Sequence, residues 1–136
     1  MSSLRRLARR ASGGQSLVEF ALVLPLLILV MVGVFDAGRA IYAYNTVSNA
    51  ARAGARVAIV NQDSAEIRAR AKEMGVSLGL ADGDIALDGC GGSVELGCSY
   101  EVRVRYVFTP ALPFIDLVFP NEVSSTAVMT VEHVNP

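Results

Sequence analysis

Two groups of residues carry potential chemistry through their spacing. The first centres on a carboxylate. Glu19 is the first acidic residue of the 136-residue chain and stands directly before 16 uncharged residues, Phe20 to Phe35. Gly14 lies five positions ahead of it, and Arg5, Arg6, Arg9 and Arg10 lie ahead of the glycine. The second group is Cys90 and Cys98, which enclose seven residues, three of them glycine. A carboxylate at the edge of an apolar run has two local uses. Ser16 and Glu19 have the S-x-x-E spacing of a helix capping box, and an acid in a first turn also suits the helix dipole. Alternatively, the side chain reaches back toward lipid headgroups.

A third reading joins Glu19 to its surroundings. Gly14 followed at the fifth position by Glu19, after a basic leader and before an apolar run, resembles a type IV prepilin processing site. Cleavage would fall between Gly14 and Gln15, leaving Gln15 with a free amine and Glu19 as fifth residue. A carboxylate costs ~2.5–3.5 kcal/mol at the centre of a bilayer, and less near its edge. In a bundle of such helices the Gln15 ammonium of one subunit would offset the Glu19 charge of another and fix their axial register.

The run must be an anchor for this to hold. From Leu17 to Phe35 is 19 residues, ~28 Å of helix at ~1.5 Å per residue, close to the apolar thickness of a bilayer. A cleaved secretory signal is the rival, but a cut after Ala37 would put bulky Phe35 at the third position before it, a poor site for signal peptidase. Apolar residues make up 52% of the chain and the mean hydropathy is +0.43, as expected of an anchor with a small domain attached. The four leader arginines keep the N-terminus cytoplasmic. From residue 15 onward there are 13 acidic against 8 basic residues, which argues against nucleic acid as partner.

The C-terminal body then lies outside the cytoplasm, where Cys90 and Cys98 most simply pair with each other. So short a loop would stabilise the fold by roughly 2–3 kcal/mol. Two reduced buried thiols are the alternative. A metal site lacks further cysteines, and the single histidine, His133, is distant in sequence and reads as an ordinary strand residue.

Three segments position these groups: a leader over 1–14, one long helix over 15–60 with its membrane part at 17–35, and a small extracytoplasmic domain over 61–136 that opens with a short helix. Pro25 should kink or loosen the long helix. Beyond it the helix is alanine-rich, with Arg52 and Arg56 on one face and Tyr42, Ala50 and Ala53 able to share another. Gly33, Gly38 and Gly54 permit close approach of a neighbouring helix. Asp63 with Glu66, and then Gly75, bound a second helix at about 64–74, with Ile67, Ala71 and Met74 as its buried stripe. Residues 80–92 read as turn-rich and 109–120, with Pro110, Pro113 and Pro120, as a loop or a short turn of helix. Period-two alternation over Tyr100–Phe108 predicts a strand, and residues 123–134 a second. The fold class is α+β: a long N-terminal membrane-spanning, pilin-like helix packed on a small antiparallel sheet.

Residues 13–58 resemble the TadE-like family, pseudopilins of bacterial tight-adherence (Tad/Flp) pilus systems. The resemblance is carried by Gly14, the block Val18 to Pro25 ("VEFALVLP"), the block Asp36 to Ala40 ("DAGRA") and the block Asn49 to Arg56 ("NAARAGAR"). It implies a single-pass inner-membrane protein, cut by a prepilin peptidase, that works with other pilins and pilus assembly platform proteins and enters the pilus or primes it. The long tail is more like that of a minor pseudopilin than of the short major Flp pilin. Asp36, Gly38, Arg39, Arg52 and Arg56 are candidate helix contacts. No nucleophile elbow, phosphate loop or metal constellation is present in the sequence, so neither an enzyme nor a cofactor or small-molecule substrate is expected. The alternative function is an uncleaved membrane-anchored scaffold of an envelope secretion complex.

Overall fold

The computed structural model describes residues 2–89, 96–111 and 121–132. They fall into two compact units, Met1–Ala37 and Gly38–Pro136. Residues 2–37 of the first unit are all helical. They belong to α1, Ser2–Ala58, whose C-terminal part lies in the second unit. The helix therefore starts well before residue 15. Residues 4–11, Leu-Arg-Arg-Leu-Ala-Arg-Arg-Ala, are all strong helix formers, which is the local reason. Ser16 consequently sits inside the helix, and the first turn of α1 contains no acidic residue. The capping box expected of Ser16 and Glu19 is not a helix start here. The helix continues through Pro25.

In the second unit the alanine-rich end of α1 packs with α2, Ser64–Met74, and a three-stranded antiparallel sheet of order β1-β2-β3. The strands are β1, Ile85–Gly89, β2, Ser99–Val107, and β3, Glu122–Thr130. Val47, Ala51, Ala55 and Ala58 form a helical stripe in the core, facing Ile67, Ile85, Val102 and Val104. Small side chains let the backbones approach closely. A Cβ placed on Gly54 would lie 3.2 Å from Val102 Cγ1 and 3.4 Å from the Ala71 Cβ. The close helix approach expected at Gly54 is thus made to α2 of the same chain. At Gly33 and Gly38 a Cβ would meet nothing within 4 Å.

The second helix has the expected bounds but a different cap. Asp63 Oδ1 accepts from the Ala65 N–H at 2.9 Å, while Glu66 does not reach back to Asp63. Asn61 takes over that half: its Oδ1 accepts from the Asp63 N–H at 3.0 Å and its Nδ2 donates to Glu66 Oε2 at 2.5 Å. Ile67 and Ala71 are buried as expected, but Met74 is 40% exposed. The helix ends there, and Leu80 instead folds back over Gly75.

The stretch 80–92, expected to be turn-rich, holds a strand that was not expected, β1. A 3-10 turn, Asp82–Asp84, leads into it, and Ile85 and Leu87 alternate inward opposite Val104 and Val102. Five residues with two inward apolar side chains, flanked by Asp and Gly, give too weak a periodicity to recognise alone. β2 shows the expected alternation. β3 is shorter than the segment 123–134: it ends at Thr130, after which Val131 N–H donates to the Cys98 carbonyl at 2.8 Å and Glu132 N–H to the Ile59 carbonyl at 3.1 Å. Of the segment 109–120, expected to be a loop or a short turn of helix, residues 109–111 are in neither helix nor strand, and residues 112–120 lie outside the described residues, as does His133.

The pairing of Gly89 with Tyr100 carries two expectations. A Cβ on Gly89 would lie 2.4 Å from Tyr100 Cε2 and 2.9 Å from its Cδ2. Tyr100 is only 7% exposed, so its rigid ring cannot swing clear. Gly89→Ala should cost ~1–3 kcal/mol through overpacking, read as a lowered thermal midpoint of the full-length protein in detergent. Gly75→Ala is the milder control, because the obstructing atom is the flexible end of Leu80. Burial also raises the Tyr100 phenol above its ordinary pKa of 10.0. The unfolded chain therefore loses this proton first as pH rises. The contribution of Tyr100 to stability is full below the ordinary tyrosine value and is lost as pH climbs through it toward the folded value. Tyr100→Phe should flatten that alkaline loss in pH-dependent melts.

Candidate functional site

Gly14, Gln15 and Glu19 lie on one helix, so helical period sets their geometry. Residues four apart share a face: Gln15 Nε2 donates to Glu19 Oε1 at 3.3 Å, with both side chains exposed. At Gly14 a Cβ would meet nothing within 4 Å, and its peptide bond to Gln15 lies within the continuous helix α1. Around the carboxylate the surface is apolar. Leu17 and Phe20 are 69% and 63% exposed, and exposed apolar side chains continue to Phe35. A helix apolar on all sides requires an apolar environment, and α1 is long and apolar enough to cross a membrane.

The other candidate helix contacts are dispersed. Asp36 is buried. Gly38 is exposed. Arg39 places its guanidinium 5.3 Å from the centroid of the Phe108 ring, a cation–π contact with its own chain. Tyr42, expected to share a face with Ala50 and Ala53, is exposed and donates from its hydroxyl to Ser77 Oγ at 2.9 Å, while Ala50 is buried. Arg52 and Arg56 are exposed on one face of α1, as their spacing predicts. They line a groove with Asn49, Val57 and, from α2, Arg70 and Met74. Arg70 was not legible as a partner of Arg52 and Arg56, because only the packing of α2 on α1 brings it there.

Cys98 is half-buried and follows Gly97, whose φ of 87° lies in the left-handed region that glycine accepts. Gly97 N–H donates to the Val131 carbonyl at 3.0 Å, which pins this end of the cysteine segment to the residue after β3. Cys90 lies outside the described residues. Among the described residues there is no free cysteine and no group of three or more His, Cys, Asp or Glu placed to hold a metal.

Compared with known families, residues 14–56 match the TadE-like proteins, a match that begins at Gly14 and closes at Arg56. No curated protein and no solved structure matches the chain.

Proposed function

Taking this TadE-like segment, residues 14–56, as premise, we propose that the chain is a minor pseudopilin of a Tad pilus system, cleaved by a prepilin peptidase between Gly14 and Gln15. The observation that carries the reading is Glu19 sharing a helix face with Gln15 at the head of an unburied apolar helix. Removal of residues 1–14 makes Gln15 the helix N-terminus. The unsatisfied N–H groups there and the positive end of the helix dipole then lie one turn from the carboxylate. The new ammonium of one subunit and Glu19 of the next form the pair that sets register. Cleavage within a helix requires local unwinding. Gly13 and Gly14 lower its cost, since each glycine disfavours the helix by ~1 kcal/mol relative to alanine.

In this reading the chain crosses the inner membrane once, with the arginine leader cytoplasmic and the second unit outside, and Cys90 pairs with Cys98. The absence of a free cysteine among the described residues supports the pairing. Mass mapping of the non-reduced 90–98 peptide tests it, and free thiols at both positions would overturn it.

Intact-mass measurement on protein from its native membrane, with and without the peptidase, tests the cleavage: the mature chain should begin at Gln15. Gly14→Leu should leave it uncut, because the peptidase's catalytic carboxylates must close on a small residue. A mature Gln15 terminus in that variant would show that the cut does not need a small residue at position 14, and would overturn the assignment to a prepilin peptidase. One observation favours the second reading, an uncleaved scaffold: α1 runs unbroken from Ser2 past Gly14. An intact Met1 terminus in native membranes would select it.

A further inference from the structure

We propose that the groove between α1 and α2 docks a segment of another protein that carries aspartate or glutamate beside apolar side chains. The proposal rests on the chain being a component of a pilus assembly. The groove encloses about 460 Å³. Asn49, Arg52 and Arg56 of α1 and Arg70 of α2 supply its polar groups, and Val60 and Met74, 51% and 40% exposed, supply apolar surface.

Its charge is unexplained by the needs of the fold. Arg52 and Arg56 are a like-charge pair four apart on one helix, which disfavours that helix by ~0.2–0.5 kcal/mol. The ion pairs of the described residues join Arg70 to Glu73, Lys72 to Asp82 and Arg103 to Glu101, and give Arg52 and Arg56 no carboxylate. Packing of α2 brings a third guanidinium to the groove, that of Arg70, which Glu73 already pairs, so the uncompensated charge there is that of Arg52 and Arg56. Yet from residue 38 onward the chain has 11 acidic and 8 basic residues. The positive potential is therefore local within a net acidic unit. Such a unit repels extended polyanions, including nucleic acid and an anionic bilayer, but admits a short segment with one or two carboxylates. Guanidinium groups take carboxylates through two parallel hydrogen bonds, and adaptable Met74 beside Val60 receives an apolar neighbour.

The test uses the full-length chain in its native cells, with Met74→benzoylphenylalanine as a photo-cross-linker in the groove. The expected adduct maps to a peptide of a different protein with Asp or Glu within a few residues of the attachment point. Arg52→Glu together with Arg56→Glu should reduce that adduct about tenfold, equivalent to ~1.4 kcal/mol, and reversing the mapped acid to Arg in the partner should restore it. Restoration separates lost docking from lost folding, since an unfolded unit cannot be rescued from outside. The proposal is overturned by an adduct insensitive to the double reversal, by attachment to a second copy of this chain, to lipid or to an acid-free peptide, or by no adduct at all. The N-terminus is sequenced in the same samples. An intact Met1 with the expected adduct leaves the docking and removes the pseudopilin reading; Gln15 without the adduct does the reverse.

Discussion

Glu19→Gln protein should be cut after Gly14 and inserted in the membrane as before, yet fail to co-purify with other pilus components from detergent-solubilised native membranes. The reasoning turns on which interactions glutamine keeps. Its amide still accepts the hydrogen bond that Gln15 gives to Glu19, and it still suits a helix turn. What it removes is the charge. If that charge neutralises the Gln15 ammonium of a neighbouring subunit, the substitution strands an ammonium in an apolar bundle. Breaking a buried pair in this way typically costs ~3–5 kcal/mol, roughly two to four powers of ten in association. Co-purification measured alongside intact mass separates this loss from failed processing. Normal assembly of the variant would reduce the role of Glu19 to its local bond with Gln15 and sink the pairing.

The second large effect is expected at Ile67. It is fully buried and among the largest such side chains of the molecule. A Cβ on Gly54 would lie 3.5 Å from its Cγ2, so it fills the space left by the glycine in α1. Of the eleven residues of α2 only Ile67 and Ala71 are buried. The helix is too short to persist alone in water, and Ile67 is the principal side chain holding it to the core. Ile67→Ala should cost ~2–5 kcal/mol, a large share of the ~5–15 kcal/mol that stabilises a domain. Hydrogen exchange on the full-length protein should show α2 amides losing protection, and the thermal midpoint should fall. Met74→Ala is the informative comparison. The same heptad-like stripe contains it, but at 40% exposure its truncation should change stability by less than ~0.5 kcal/mol. Equal effects at the two positions would contradict the docking of α2 described above.

The long helix, the second helix and the strand over residues 99–107 were legible because each carries many residues of one period, and periodicity is a local property. β1 escaped notice because it is five residues long and becomes a strand by pairing with β2, a decision made at Val102 and Val104 and not within Ile85–Gly89. Met74 fell on the predicted stripe yet stayed exposed because the helix stops at Gly75 and Leu80 covers its end. The capping box at Ser16 was a sound local pattern overridden by a second one: the leader has enough helix propensity to carry α1 back to Ser2.

By itself, the sequence determined the apolar helix, the placement of Gly14, Gln15 and Glu19 at the start of its apolar run, and the identity of the TadE-like stretch, since each depends on residues close in the chain. Any helix brings positions 15 and 19 to one face. Only the tertiary structure decided that Gly54 admits Ile67 and Val102, that Arg39 lies over Phe108, and that Arg70 joins Arg52 and Arg56 at one groove. These meetings span from 13 to 69 residues of chain. They are set by how helices and sheet share one core, where close packing and not local pattern selects the neighbours.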